Sequence, residues 1–345
     1  MDITEFAKAV GVSPATVSYV ISGRGRISEK TRRMVQERMT ELGYVPNQSA
    51  RHLASGRSRT VLVPFRTTDV LTDPFLAEVT QAMLQTFHQN GYEVLLDLPD
   101  ETGSASLLQR VRSRAFAGSV LFEGFYLGDD LLVLLAGAQC PCVVTDPHRM
   151  REVAHTTTIV YEADAGMREA ARHLVSLRHQ RIAVLNCTNL SSEPFVSEAT
   201  RNGVPIRAEW VINVSPNVAS VAEAVRSLLV LPPGQRPTAI FARKDGIALA
   251  ILRELHRQNV SVPRDISVVG FDDTHHCELA YPSLTSVRLD CSRLGERMAT
   301  ALCERVAKPD PKPRSVIHPS HLVVRESSAP PLICLNQSVL KEARP

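Results

Sequence analysis

Ala15, Ser18, Tyr19 and Ser22 recur at offsets of three, four and seven in the stretch from Pro14 to Ser22. That spacing places them on one face of an α-helix. Val17, Val20 and Ile21 fall on the opposite face, and Pro14 and Thr16 lie alongside. A helix held from behind by aliphatic residues, with small and hydrogen-bonding groups in front, suits entry into the major groove of DNA. Base edges there carry a distinct donor and acceptor pattern for each base pair. The chemistry implied is recognition of bases, with no bond made or broken.

The flanking residues predict the elements that hold this helix. Thr4 is the expected N-cap of a preceding helix, with Phe6, Ala7 and Val10 as its buried stripe. Gly11 ends that helix in the left-handed conformation that glycine adopts at little cost. Ser13 caps the second helix, and Pro14 sits at its first position, where a missing N–H costs nothing. Ser28 caps a third helix running from Glu29 to Leu42, which Gly43 ends. Met34, Val35, Met39 and Leu42 are expected to pack it against the first two. Ser28 and Thr31 can offer hydroxyl and backbone N–H groups to phosphate oxygens, with Arg24 and Arg26 nearby.

The run AVGVSPATVSYVISGRGRISEKT, with its GVS-x-x-TVS core, the SEKTR that follows, and LGYVPNQSARHLASGRS beyond, resembles the N-terminus of the lactose-repressor (LacI/GalR) family of bacterial regulators. VPRDISVVGFDD, PSLTSVR and LVVRESS match the same family near the C-terminus, so the resemblance spans nearly the whole chain. It implies a transcriptional regulator, a repressor acting as a homodimer on a near-palindromic DNA operator, with affinity modulated by a small molecule in the core. Many members carry Arg where this chain has Tyr19 and Asn where it has Ser22. Arg pairs bidentately with guanine and Tyr cannot, so the resemblance implies an altered base at the matching operator position.

Residues 44–59, YVPNQSARHLASGRSR, are polar, basic and broken by Pro46 and Gly56. Such a segment buries too little apolar surface to order itself. Asn47 to Ala54 nevertheless reads as a short helix with Asn47 as cap, Ala50 and Leu53 on one face, and Arg51 between them. By resemblance this is a hinge that folds when two copies meet in the minor groove, with Leu53 as the wedge between base pairs.

Composition bounds the rest. A chain of 345 residues with 44% hydrophobic and 22% charged side chains is long enough for two domains and a sizeable core. Residues 1–59 hold ten Lys and Arg against five Asp and Glu, whereas the remainder is slightly acidic. A basic head on an acidic body predicts that only the head meets a polyanion. No run approaches the ~18 apolar residues of a membrane helix, and no apolar signal segment opens the chain. Seven Cys without regular spacing fit a reduced cytoplasm, and Cys140 and Cys142 read as small buried hydrophobes in a strand.

From Thr60 the pattern alternates between short Val- and Leu-rich strands and amphipathic helices. TVLVPF, EVLLDL, GSVLFEG and CVVTD form one set of strands, with helices at PFLAEVTQAMLQTFHQN, SASLLQRVRSRA and DDLLVLLAGAQ. TTIVYE opens a second set, continued by RIAVLN, TAIFA and DISVVGF with their helices, and SLTSVRLD, CSRLGERMATALCERVA and SHLVVRES cross back. The expected fold is α/β: an all-α helix-turn-helix head at 1–45, a hinge at 46–59, a two-lobed periplasmic-binding-protein-like core at 60–328 with parallel sheets, and a tail at 329–345. The tail carries no sustained heptad, so a dimer is expected rather than a coiled-coil tetramer.

Ligands bind such folds at the carboxyl ends of the strands. By resemblance the effector-binding positions are the loop from Asp69 to Phe75 after the first strand, Asp146 and Arg149 after CVVTD, Asp245 in FARKD, and the stretch from Phe271 to Asp273 in GFDD. The chain also departs from the family. After RIAVLN, members carry an effector-gripping Arg followed three residues later by Gly. Here the stretch NCTNLSSEPFVSEATRNGVP offers only Arg201, which falls late. Lys244 stands where Asn is common, and Leu289 and Cys291 replace polar or aromatic residues. His148, Arg149, Arg243 and Lys244 suit an anionic metabolite, and the acidic positions suit a sugar.

The sequence holds no Gly-x-Ser-x-Gly, Gly-x-Gly-x-x-Gly, phosphate-cradling Gly-Lys-Ser/Thr or His-Glu-x-x-His motif, so no enzyme and no cofactor are expected. Asp272, Asp273, His275, His276 and Cys277 are the one dense group of metal-capable side chains. A polar loop after a strand accounts for them, and no metal is expected. A transport solute-binding protein shares the expected core, but it has no use for a reading helix.

Overall fold

The computed structural model describes residues 1–22, 25–44, 58–65, 73–97, 115–122, 129–146, 151–187, 190–232 and 234–332. The chain forms two units, Met1–Arg59 and Thr60–Pro345.

The first unit has three helices, α1 (Ile3–Val10), α2 (Pro14–Ser22) and α3 (Glu29–Glu41). The cap of α1 is Asp2 rather than the expected Thr4. The Asp2 carboxylate accepts the N–H groups of Thr4 and Glu5 at 2.7 and 2.8 Å, and the Glu5 carboxylate accepts the Asp2 N–H at 2.9 Å. That reciprocal pair satisfies more orphan donors than a threonine hydroxyl could. Gly11 ends the helix at φ +75°. Phe6, Ala7, Val17, Val20 and Val35 are buried together. Phe6 stacks on Tyr44 with ring centroids 4.2 Å apart and planes 10° apart. Val10, Ile21 and Met39 pack half-buried against this cluster. Met34 and Leu42, expected inside, are exposed, because Tyr44 fills the space that α3 would otherwise close.

The second unit is built on two six-stranded sheets. The first has the order β11 (Arg314–Ile317), β5 (Thr156–Val160), β4 (Cys142–Asp146), β3 (Gly118–Leu121), β1 (Thr60–Pro64), β2 (Glu93–Asp97), all parallel. The second has the order β12 (His321–Val323), β10 (Thr285–Arg288), β9 (Ser267–Asp272), β8 (Ala239–Ala242), β6 (Ile182–Cys187), β7 (Val211–Val214), antiparallel only between β10 and β12. The described helices of this unit are α4 (Pro74–Gln89), α5 (Asp129–Gly137), α6 (Ala163–Ser176), α7 (Glu193–Arg201), α8 (Val218–Leu229), α9 (Asp245–Arg257), α10 (His276–Leu279) and α11 (Cys291–Ala307).

The strand TTIVYE belongs to the first sheet, not to the second set as expected. It pairs with β4 on one side and with β11 on the other. The chain passes from the first sheet to the second through α6, returns through α11 to β11, and crosses again to β12. Two glycines allow the close approaches this requires. A Cβ on Gly295 would lie 2.2 Å from the Val79 carbonyl oxygen, so α11 rests directly on the backbone of α4. A Cβ on Gly166 would lie 2.3 Å from Val287 Cγ1, which lets α6 settle on β10. Phe75 packs against the hydrophobic clusters of both sheets. No helix among the described residues is long and apolar enough to cross a membrane.

Candidate nucleic-acid interface and effector cleft

The helix α2 presents the expected face. Val17 and Val20 are buried on one side, while Ala15 and Tyr19 are exposed on the other and Ser18 and Thr16 are half-buried beside them. Pro14 and Ser13 are exposed at its start. Ser22 closes the helix; its side chain, like Gly23 and Arg24, lies outside the described residues. The Tyr19 ring rests against the loop that follows. A Cβ on Gly25 would stand 3.1 Å from Tyr19 Cγ, and Gly25 has φ +86°. A side chain there would be strained and would push the ring away.

Both helices that could face a phosphate begin with the same Ser-x-x-Thr pair. The Thr16 N–H donates to Ser13 Oγ at 3.1 Å, and the two hydroxyls lie 2.9 Å apart. The Thr31 N–H donates to Ser28 Oγ at 3.2 Å, with hydroxyls 2.8 Å apart. Each N-terminus also presents the positive end of a helix dipole, which favours an anion. Arg26 is exposed just before α3. Asn47, Ala50, Arg51 and Leu53 lie outside the described residues.

In the second unit the carboxyl ends of β6, β8 and β9 meet the N-terminus of α4 from the other sheet. Asp73 caps α4, accepting the N–H groups of Phe75 at 3.0 Å and Leu76 at 3.3 Å. Its other oxygen pairs with Lys244 of the β8–α9 turn. Asp272 ends β9 at φ +111°, a conformation L-residues rarely adopt, and is buried beside Lys244, Asp245, Asp73 and Arg243. Burial holds its carboxyl well above the usual range, against the pull of Lys244. The Arg243 guanidinium lies 3.9 Å above the centre of the Phe271 ring and is itself buried.

Several predicted ligand positions are occupied by the protein itself. Asp245 accepts from Ser286 Oγ at 2.6 Å and from the Thr274 N–H at 2.8 Å, and burial raises its pKa to about 6. The Asp273 side chain is fully buried between Arg288 and Arg325, each 2.6 Å away. Phe271 is buried in the core, and Asp146 is buried against Arg151 at 2.6 Å. Asp245 and Asp273 thus bond within the second lobe, and Asp146 bonds within the first. Phe75 is half-buried where the two lobes meet. Asp69, His148 and Arg149 lie outside the described residues. Arg201 pairs with Glu198 at 2.6 Å on the last turn of α7, so it does not replace the missing Arg. Leu289 and Cys291 are buried.

Asp73 and Asp272 fall inside the two stretches expected at the strand ends, the loop from Asp69 to Phe75 and Phe271 to Asp273. The sequence did not single them out, because Asp73 reads as an ordinary Asp-Pro helix start and Asp272 has an acidic neighbour. The dense group from Asp272 to Cys277 also comes apart. Asp273 turns to the arginines, and the Cys277 thiol turns to Asp245, leaving His275 exposed and His276 half-buried beside it.

A head that offers a helix face and two capped N-termini, followed in the chain by a core of two six-stranded α/β sheets, fits a DNA-binding regulator with a binding-protein core. Comparison with known proteins agrees. Residues 2–47 match the family model for bacterial regulatory proteins of the lacI family, and residues 171–328 match a periplasmic binding protein-like domain. The regulator DegA of Bacillus subtilis is 32% identical over 342 residues, covering 95% of this chain and 98% of its own. The transcriptional repressor PurR of Mannheimia succiniciproducens is 28% identical over 336 residues, covering 94% of this chain and 98% of its own. Among solved structures, a complex of the regulator CelR with cellobiose aligns with a TM-score of 0.68 at 26% identity, covering 95% of this chain and all of that one. The lac repressor dimer on its operator shares the fold, with a TM-score of 0.77 at 24% identity, covering 95% and 99%.

The chain belongs to the LacI family of bacterial regulatory proteins. It is a DNA-binding transcriptional regulator, not an enzyme.

Proposed function

We propose that the protein is a homodimeric repressor that binds a near-palindromic operator and is controlled by a small molecule in the core cleft. The observation that carries the reading is α2, with Val17 and Val20 buried behind it and Ala15 and Tyr19 exposed in front. Ala15, Ser18, Tyr19 and Ser22 meet base edges. Ser13, Thr16, Arg26, Ser28 and Thr31 hold phosphates, and the hinge residues Asn47, Ala50, Arg51 and Leu53 meet the minor groove. DegA, PurR and CelR are named as regulators, and the lac repressor structure is a dimer on operator DNA.

The effector is a small polar metabolite at Asp73, Arg243, Lys244 and Asp272. Arg243 and Lys244 favour an anionic group, and the carboxylates accept from hydroxyls. To change operator affinity the ligand must favour one arrangement of the lobes, and the Asp73–Lys244 bridge is the contact it competes with. Selection of bound sites from genomic DNA, followed by gel shift, tests the DNA reading. An inverted repeat whose binding weakens steeply with salt is expected, and binding with no preference over bulk competitor overturns it. Titration with neutral, phosphorylated and carboxylated sugars tests the cleft, and saturable binding of a neutral sugar alone overturns the anionic preference.

A further inference from the structure

We propose a transition-metal site that ties the two lobes of the core together, with Glu78, His275 and His276 as its protein ligands. Glu78 projects from α4, which packs on the first sheet. His275 and His276 follow β9 of the second sheet at the start of α10. One ligand atom from each of the three lies within 4.8 Å of the other two. Two imidazoles and one carboxylate form a donor set for zinc-class divalent ions, and calcium or magnesium prefers an all-oxygen shell.

Two further observations point to a ligand here. His276 Nδ1 is buried and has no hydrogen-bond partner among the described residues, a costly state for a ring nitrogen. The Glu78 carboxylate already reaches across the lobes, at 2.6 Å from His275 Nδ1 and 3.0 Å from the His275 N–H. A tetrahedral ion with bonds of about 2.0–2.1 Å needs its ligand atoms roughly 3.3 Å apart. The cluster reaches that spacing by opening the Glu78–His275 contact slightly and drawing His276 in. The His275 side chain is 61% exposed and is able to make that adjustment. The neighbouring donors are engaged elsewhere. Asp273 sits between two arginines and Cys277 bonds Asp245, so the remaining coordination position falls to water or to a group of a bound metabolite.

Such an ion fastens α4 to the loop after β9, on the same side as the Asp73–Lys244 bridge. The test uses the untagged full-length chain, stripped with chelator, and Zn2+ or Co2+ alone as probe. Calorimetry is expected to show one saturable ion per chain, and the melting temperature is expected to rise with added metal. Glu78→Gln and His276→Ala each weaken binding by at least ~10-fold, while melting without metal stays near the parent value and shows that the variants fold. Bound Co2+ is expected to give ligand-field bands without a sulfur-to-cobalt band. No saturable binding, binding unchanged in both variants, or a thiolate band overturns the site. These readouts involve no DNA, so their failure leaves the operator reading intact, and failure of that reading leaves the metal site intact.

Discussion

The reading head and the effector cleft spend their polar groups in opposite ways. In the head, the described residues proposed to meet DNA are exposed or half-buried, and the Ser–Thr pairs bond to near neighbours in sequence, as in Ser13 with Thr16 and Ser28 with Thr31. In the cleft, the carboxylates expected to meet a ligand are buried and bonded across tens of residues: Asp245 to Ser286, Asp273 to Arg288 and Arg325. Local caps leave a surface ready for an outside partner. Long-range pairs consume the same chemistry to hold strands and loops in place. Thus an acidic residue is better evidence of a site where its partner comes from the opposing lobe, as for Asp73 at the start of α4 with Lys244 after β8.

The widest separation between the two regions should come from Phe6→Ala. The head has one small core, and Phe6 fills its centre against Tyr44. Truncating a fully buried phenylalanine costs ~3–5 kcal/mol, about what a core of this size supplies. Operator binding is expected to vanish in a gel shift, while the melting transition and ligand binding of the core persist. An equal loss in the core would end the distinction drawn between the two regions.

Asp245→Asn asks whether a cleft carboxylate is structural. Asp245 holds its proton to about pH 6, above the usual 3.8, because it is buried. The folded chain therefore binds more protons than the unfolded one between those values, and raising the pH through that window costs stability. The asparagine mimics the protonated form and carries no such dependence. The parent should lose up to about 3 kcal/mol relative to the variant between pH 4 and 6, since a tenfold difference in proton affinity is worth about 1.4 kcal/mol. Urea melts of both proteins at several pH values would show it. Parallel curves would mean that Asp245 titrates in the open, as a ligand-facing group does.

These outcomes follow the division between what was legible and what was not. The helices of the head could be read because every signal, from Val17 and Val20 to Ser13 and Gly11, lies within one or two turns of its partner. Its one error, Thr4 for Asp2, is a choice between two caps in the same turn. In the core the buried strands were legible as Val-rich runs. The edge strands β7 and β11 were not, because VINV and RSVI are four-residue runs interrupted by polar residues. Helix α7 was hidden by Glu198, a charge on its buried face neutralised by Arg172 and Arg201. The membership of TTIVYE in the first sheet depends on β11, more than 150 residues later in the chain. At the end of β9, Asp272 and Asp273 have φ of +111° and +55°, so strand alternation no longer says which of them faces the cleft.

Tyr19→Arg sharpens the head's side of the comparison. The tyrosine offers one hydroxyl and a ring, whereas an arginine offers a bidentate fork to guanine. Selection from random duplexes should move the preferred base at one symmetric position toward guanine by about 1–3 kcal/mol of discrimination, with the rest of the half-site unchanged. An unaltered half-site would remove Tyr19 from the reading face.

The finest test compares two helix caps, one from each region, by substitutions that keep the cap and change only its charge. Asp caps a helix about as well as Ser, and Asn about as well as Asp. Ser28→Asp therefore preserves the N-terminus of α3 and should shift its melting by no more than ~0.5 kcal/mol. It places a negative charge where a phosphate is proposed to sit, and two like charges at 4 Å repel by about 1 kcal/mol even in bulk water. Operator affinity should fall several-fold, with a smaller salt dependence than the parent. Asp73→Asn likewise preserves the N-terminus of α4 but withdraws the charge that holds Lys244. Its effect should appear in effector affinity, with the half-site sequence unchanged, because Lys244 is then held by Asp272 alone and no longer bridged to α4. If Asp73→Asn alters base preference, or Ser28→Asp alters effector affinity without touching DNA binding, the two caps are not separate instruments, and the contrast between an outward-facing head and an inward-facing cleft fails at its most local point.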